Sequence, residues 1–162
     1  MSCYYGLQLG VRLREGDRYL YPAGGGTLGY SLPAGIGAKF GRPSDEVIAV
    51  AGDGGAMFTI QELMAAVEHR LAVSFIIIDN GGYGEIAREM LERGDAPTAV
   101  ALGRPDFVAL ANALGMQAQK VTDASQLATG LAEAREAQAP RLFVMDEHSP
   151  TAEYLVCLLY TS

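Results

Sequence analysis

Two short runs of branched apolar residues, 47–51 and 72–78, each end on a polar side chain set among glycines. Gly52-Asp53-Gly54-Gly55 follows the first and Asp79-Asn80-Gly81-Gly82-Tyr83 the second. Continuous apolar runs of this length read as strands buried on both faces, which is the habit of a parallel sheet covered by helices. Helical signals alternate with them. Ser31-Leu32-Pro33 is a helix entry, with Pro tolerated in the first turn. Thr59 and Glu62 have the spacing of a capping box, which predicts a helix running to about Arg70. A further helix is expected from Tyr83 or Gly84 to Arg93, and Pro105-Asp106 opens another that Gly115 stops. Residues 117–121 suit an edge strand, Asp123 caps a helix that ends before Pro140, and 142–146 form a last strand. Residues 18–23 read as a short first strand running into Gly24-Gly25-Gly26. The expected fold is α/β and three-layered, a mostly parallel sheet flanked by helices.

In an open α/β sheet, ligands gather beyond the carboxyl ends of the strands. The glycine-rich turn after 18–23, Asp53 and Asn80 all fall there, so three loops converge on one edge. A carboxylate and a carboxamide at that edge suit a hard divalent cation of the magnesium type, which takes oxygen ligands and shares them with phosphate. Glycines around both leave backbone N–H groups open to an anion.

Composition removes several alternatives. A net charge of −7, with no basic run, argues against nucleic acid as a partner. The longest purely apolar runs are too short to cross a membrane. Arg12, Arg14, Glu15 and Asp17 interrupt any secretory core, so a cytoplasmic location is expected. Cys3 and Cys157 make neither a metal spacing nor a disulfide framework. Residues 1–17 read as a leading segment or linker, 18–150 as the domain, and the apolar 151–162 as a tail. The abrupt ends suggest either a truncated or altered chain or a native C-terminal segment that packs on a partner. Of the two histidines, His69 ends a helix and reads as structural, while nothing in its spacing assigns His148 a role.

The pattern resembles the diphosphate-binding domain of thiamine diphosphate enzymes. That family carries GDG, a spacer in the middle twenties, then NN; here Gly52-Asp53-Gly54 precedes Asp79-Asn80 at that distance. The upstream stretch from Gly24 through Thr27-Leu28-Gly29 and Leu32-Pro33-Ala34 to Ala38 is similar to a second family segment, and the likeness covers roughly residues 20–147. The resemblance implies that Asp53 and Asn80 give side-chain oxygens, and Gly82 a backbone carbonyl, to Mg2+. It implies that Gly54, Gly55 and Tyr83 contact the diphosphate, with Gly52 and Thr27 in the same cofactor-binding set. Gly26 would offer a carbonyl to the aminopyrimidine, and Leu28 would support the cofactor's bent conformation. Asp79 departs from the family pattern by standing where the first Asn is expected; capping the following turn is its preferred role.

The family acts on 2-oxo acids, releasing carbon dioxide and then giving an aldehyde, an acyloin or an acetohydroxy acid. It needs a glutamate on a separate pyrimidine-binding domain of the same or another subunit, which implies that this chain holds half a site, is inactive alone and forms a homo-oligomer when complete. The residues around Tyr83-Gly84-Glu85-Ile86 look most like the acetolactate synthase and benzoylformate decarboxylase group, and within it the decarboxylases of 5-guanidino-2-oxopentanoate. Glu85 is accordingly a candidate substrate contact for a cationic tail, set against a simple helix-dipole role. Ile86, where pyruvate decarboxylases carry a catalytic Glu, speaks against that branch. Two other readings stand beside this one: a complete small subunit of a two-chain decarboxylase of the sulfopyruvate type, and a non-catalytic diphosphate-binding or oligomerisation module. A P-loop is absent from the sequence, and the acidic residue of a dinucleotide fold is not where it should be.

Overall fold

The structure, a computed structural model, describes residues 13–24 and 26–147. Gly25, Cys3, Cys157, His148 and the 151–162 tail lie outside the described residues. In chain order the elements are α1 Ser31–Gly41, β1 Val47–Gly52, α2 Asp53–Ala56, a 3-10 turn Ile60–Glu62, α3 Leu63–Glu68, β2 Val73–Asp79, α4 Gly84–Glu92, α5 Phe107–Ala113, β3 Gln117–Val121, α6 Ala124–Ala137 and β4 Arg141–Asp146. The four strands form one sheet in the order β1-β2-β4-β3, every pairing parallel. β3 is an edge, as its polar, weakly alternating sequence suggests.

Strand parity sorts the core into two layers. Ala49, Ala51, Val73, Phe75, Ile77, Leu142 and Val144 point to one face and pack against Leu32 and Ile36 of α1, Leu63 and Ala66 of α3, and Phe107 and Ala111 of α5. Ile76, Ile78, Phe143 and Met145 point to the other, against Leu127 and Ala134 of α6. Because β2 and β4 are central and covered on both sides, their sequences are apolar without alternation. On the α6 side, Ile48 and Val50 of β1 are only half-buried. α5 and α6 start as the sequence predicts: the Asp106 and Asp123 carboxylates accept the backbone N–H groups of Ala109 and Gln126.

Two expectations are corrected. Residues 18–22 take no regular secondary structure, Ala23 enters a turn, and the segment joins no strand among the described residues. Their β-prone tyrosines, Tyr19 and Tyr21, stack on each other at 5.5 Å, and Leu20 remains exposed, so the segment gains no sheet burial. The Thr59–Glu62 capping box is also not formed. Thr59 makes no side-chain cap; its hydroxyl donates 2.9 Å to the carbonyl of Gly29. The helix expected to Arg70 is consequently split into a 3-10 turn and the short α3. A long-range hydrogen bond has displaced a local one.

α1 reaches the sheet through Gly35, where a Cβ would stand 2.7 Å from Ala49 Cβ and 3.6 Å from Val73 Cγ1. A side chain there must push α1 off β1. Gly35→Val is expected to cost about 1–3 kcal/mol, read as a lower urea midpoint with an unchanged denaturant slope.

Candidate functional site

β1 and β2 run side by side in register, with Gly52 opposite Ile78. The residues that follow them, Asp53 and the 79–83 loop, therefore emerge next to each other at the carboxyl edge. Asp53 opens the single turn α2 and is 3 % exposed. Its Oδ2 accepts the Gly81 N–H at 3.0 Å. Its Oδ1 is buried and has no hydrogen-bond partner among the described residues. A buried carboxylate oxygen without a donor is costly, and the usual remedy is a proton or a cation. Burial pushes the Asp53 carboxyl above its ordinary value, and the charge of Asp79 adds to the rise.

The 79–83 loop is held by its own polar side chains. Asp79 Oδ1 accepts the Gly81 N–H at 3.0 Å, the turn-capping role preferred from sequence. Asn80 Oδ1 accepts the Gly82 N–H at 3.2 Å, and a carboxamide oxygen keeps a second lone pair for another partner. Gly82 takes φ +150, and a Cβ on it would meet the Val100 carbonyl at 2.2 Å. Only glycine fits there. Gly54 is as constrained, since a Cβ would lie 2.9 Å from the Tyr83 ring and 3.2 Å from the Gly82 carbonyl oxygen. That approach places the Gly82 oxygen beside the first turn of α2. Asp53, Asn80 and Gly82 line the same cavity and offer a carboxylate, a carboxamide and a main-chain carbonyl, all hard ligands. Among the described residues no group of three His, Cys, Asp or Glu side chains could hold a metal; this donor set has one carboxylate.

Every residue singled out from sequence lines a single cavity of about 1210 Å3: Gly26, Thr27, Leu28, Gly52, Asp53, Gly54, Gly55, Asn80, Gly82, Tyr83 and Glu85. Leu28 is partly exposed, its Cδ2 3.7 Å from where a Cβ on Gly55 would stand. Phe58 and Tyr83 rings meet at 6.4 Å. The cavity continues along residues 13–22 to the half-buried Ile48 and Val50. Glu85 lies in the first turn of α4, 9 % exposed, and pairs with Arg88 one turn on. His69 caps the end of α3 and meets the Phe40 ring edge-on at 5.2 Å, a packing role away from this cavity.

Two contributors escaped the sequence reading. Thr59 ties the Thr27-Leu28-Gly29 turn to the site through the Gly29 carbonyl. Arg104 approaches Asp79 from the loop after α4. No local motif marks either; the acid at position 79 is the one sequence feature that calls for a cation nearby.

The raised Asp53 carboxyl has a signed consequence. In the metal-free chain the folded state holds this proton to higher pH than the unfolded state does. Stability from this group therefore falls as pH rises from the ordinary 3.8 through the raised folded value. Asp53→Asn is expected to flatten that fall and to leave the metal-free chain more stable at neutral pH, checked by urea unfolding across the acid range.

Residues 2–145 match the family described as thiamine pyrophosphate enzyme, C-terminal TPP binding domain. The chain is 38 % identical over 134 residues to a benzoylformate decarboxylase of Pseudomonas aeruginosa, covering 82 % of this chain and 25 % of that protein. It is 39 % identical over 110 residues to a probable 2-ketoarginine decarboxylase of the same organism, covering 67 % of this chain and 20 % of the other. Among solved structures, the thiamine diphosphate-dependent 4-hydroxybenzoylformate decarboxylase of Rhodococcus jostii superposes with a TM-score of 0.70 at 36 % identity, over 78 % of this chain and 24 % of that one. Acetolactate synthase large subunits are similar as well. The chain spans about a quarter of the length of these relatives. The parallel sheet with its flanking helices is the fold of the solved relative. Enzymes of this kind use thiamine diphosphate and Mg2+ in this domain. By fold, by site and by likeness over most of its length, the chain belongs to the thiamine pyrophosphate enzymes as their C-terminal cofactor-binding domain.

Proposed function

We propose that the chain is the thiamine diphosphate- and Mg2+-binding half of a 2-oxo acid decarboxylase or acetolactate synthase-like enzyme. The observation that carries this reading is Asp53 Oδ1, buried at the head of α2 with no donor among the described residues, in a residue that lines one cavity with Asn80 and Gly82. Those three would hold Mg2+, and the backbone of Gly54 and Gly55, with Tyr83, would face the diphosphate. Gly26, Thr27 and Leu28 would support the organic part of the cofactor. When bound, thiamine diphosphate supplies a nucleophilic carbon and an electron sink for decarboxylation. The protein's own part is to orient, to keep water out and to fix charge near the reacting atoms.

The chain works with a pyrimidine-binding domain, in the same or another subunit, inside a cytoplasmic homo-oligomer. Support comes from the apolar side chains left exposed along the cavity: Leu13, Leu20, Tyr21, Leu28 and Ile86. Exposed apolar groups clustered at a site mark a surface that a partner covers. Among the described residues no helix is long and apolar enough to cross a membrane. Alone, the chain binds the cofactor weakly and does not turn over. Titration calorimetry of the chain with thiamine diphosphate and Mg2+ is expected to give a weak, Mg2+-dependent isotherm that Asp53→Ala abolishes. Sub-micromolar binding by the parent chain would contradict the half-site reading, and binding unaffected by Asp53→Ala would contradict the metal assignment.

For the substrate, Glu85 is the discriminating residue. Its buried carboxylate lines the cavity and already accepts a guanidinium, that of Arg88. A 2-oxo acid with a cationic tail, such as the 2-ketoarginine named for one relative, would meet the same carboxylate. In the complete enzyme, Glu85→Gln is expected to lower kcat/KM for the guanidino substrate by about 10-fold or more relative to a neutral 2-oxo acid, the worth of one charge-assisted hydrogen bond. An unchanged ratio would remove Glu85 from specificity.

A further inference from the structure

Three carboxylates stand in a row at the carboxyl edge of the sheet. Asp53 follows β1, Asp79 ends β2 and Asp146 ends β4, with Asp79 and Asp146 in register. The Gly81 N–H sits 3.0 Å from both Asp53 Oδ2 and Asp79 Oδ1, so two of the acids converge on one donor. A site meant to receive a diphosphate would be repelled by such a row. Arg104 reaches into it. Arg104 Nε lies 3.8 Å from Asp79 Oδ1, and Arg104 Nη1 lies 3.6 Å from Asp146 Oδ2. The guanidinium rests against Gly81, where a Cβ would be 3.1 Å from Arg104 Nε.

The segment that delivers Arg104 is sewn to the same loop. Tyr83 N–H donates to the Val100 carbonyl at 2.8 Å, and Leu102 N–H donates to the Gly81 carbonyl at 2.9 Å. Gly82 and Ala101 form an antiparallel bridge. Residues 100–104 are thus a strap laid over the 81–83 turn, and Arg104 ends it on the acids.

Granting the cofactor site proposed above, we infer that Arg104 is a positioning residue that balances the charge of that site, offsetting Asp79 and Asp146 so that an anionic diphosphate can lie beside Asp53. The sign of the effect separates charge from architecture. A fixed guanidinium favours the diphosphate and opposes the divalent cation. Removing it weakens the first and strengthens the second, whereas a loosened strap weakens both.

The test is an NMR titration of the 15N-labelled 162-residue chain, following the Gly81 and Gly82 amides. Thiamine diphosphate is titrated at saturating Mg2+, and Mg2+ at saturating thiamine diphosphate. Arg104→Gln is expected to weaken the diphosphate ligand by roughly two- to fivefold and to tighten Mg2+ by a similar factor, the range typical of half-exposed charges. Both shifts shrink as ionic strength rises. Asp79→Asn moves both affinities the other way, and the double variant returns close to the parent. Parallel weakening of both ligands by Arg104→Gln, or no change in either, overturns the charge-balancing role and leaves the site standing. Parent amides that do not respond to thiamine diphosphate overturn the site itself, and this inference with it.

Discussion

The Gly81 N–H, shared at 3.0 Å between Asp53 Oδ2 and Asp79 Oδ1, is the contact on which the site depends. It ties the loop after β2 to the turn after β1, and it spends one Asp53 oxygen on structure. The other oxygen is buried with no donor among the described residues, in a residue that lines one cavity with Asn80 and Gly82. A carboxylate held this way is a poor arrangement for a bare protein, because its charge is desolvated and half its hydrogen bonding is missing. The cost becomes reasonable when a divalent cation supplies the missing partner. Local instability at a site of this kind is a sign of function stored in the fold.

The remainder of the chain serves that contact. A parallel register that aligns Gly52 with Ile78 and Asp79 with Asp146 brings three acidic ends to one edge. α1 seats closely on β1 through Gly35, with the Ala49 methyl group where a Gly35 side chain would otherwise reach. Close approach recurs at the site, where Gly54 admits the Tyr83 ring and the Gly82 carbonyl, and Gly82 admits the backbone of residues 100–102. Thr59 and the 100–104 strap fix the loops from outside, one through the Gly29 carbonyl and the other through a short antiparallel bridge. Nothing in this scheme requires a large core; it requires that a few backbone segments lie at contact distance.

Much of this was legible in the sequence, for physical reasons that differ by element. β2 and β4 were readable because strands buried on both faces must be apolar throughout. α5 and α6 were readable because Asp106 and Asp123 cap them locally. The meeting of Asp53 and Asn80 at one edge was readable because each follows one of two buried strands whose carboxyl ends lie side by side. What failed turned on contacts that no propensity or capping pattern announces. The Thr59 hydroxyl chose a carbonyl thirty positions away over its own helix, and the tyrosines of 18–23 chose each other over a strand partner. Arg104 lay beyond reach for the same reason: its partners Asp79 and Asp146 are remote in sequence and adjacent only across the sheet.

The account rests on Asp53 Oδ1 as a metal ligand, and the most direct measurement is a crystal structure of the chain with thiamine diphosphate and Mn2+, with the metal located by its anomalous signal. The expected result is a single peak at about 2.1 Å, the distance of octahedral oxygen coordination, from Asp53 Oδ1, the Asn80 side-chain oxygen and the Gly82 carbonyl, with diphosphate oxygens completing the shell. A metal bound elsewhere, or an Asp53 Oδ1 satisfied by a protein donor with cofactor present, would contradict it.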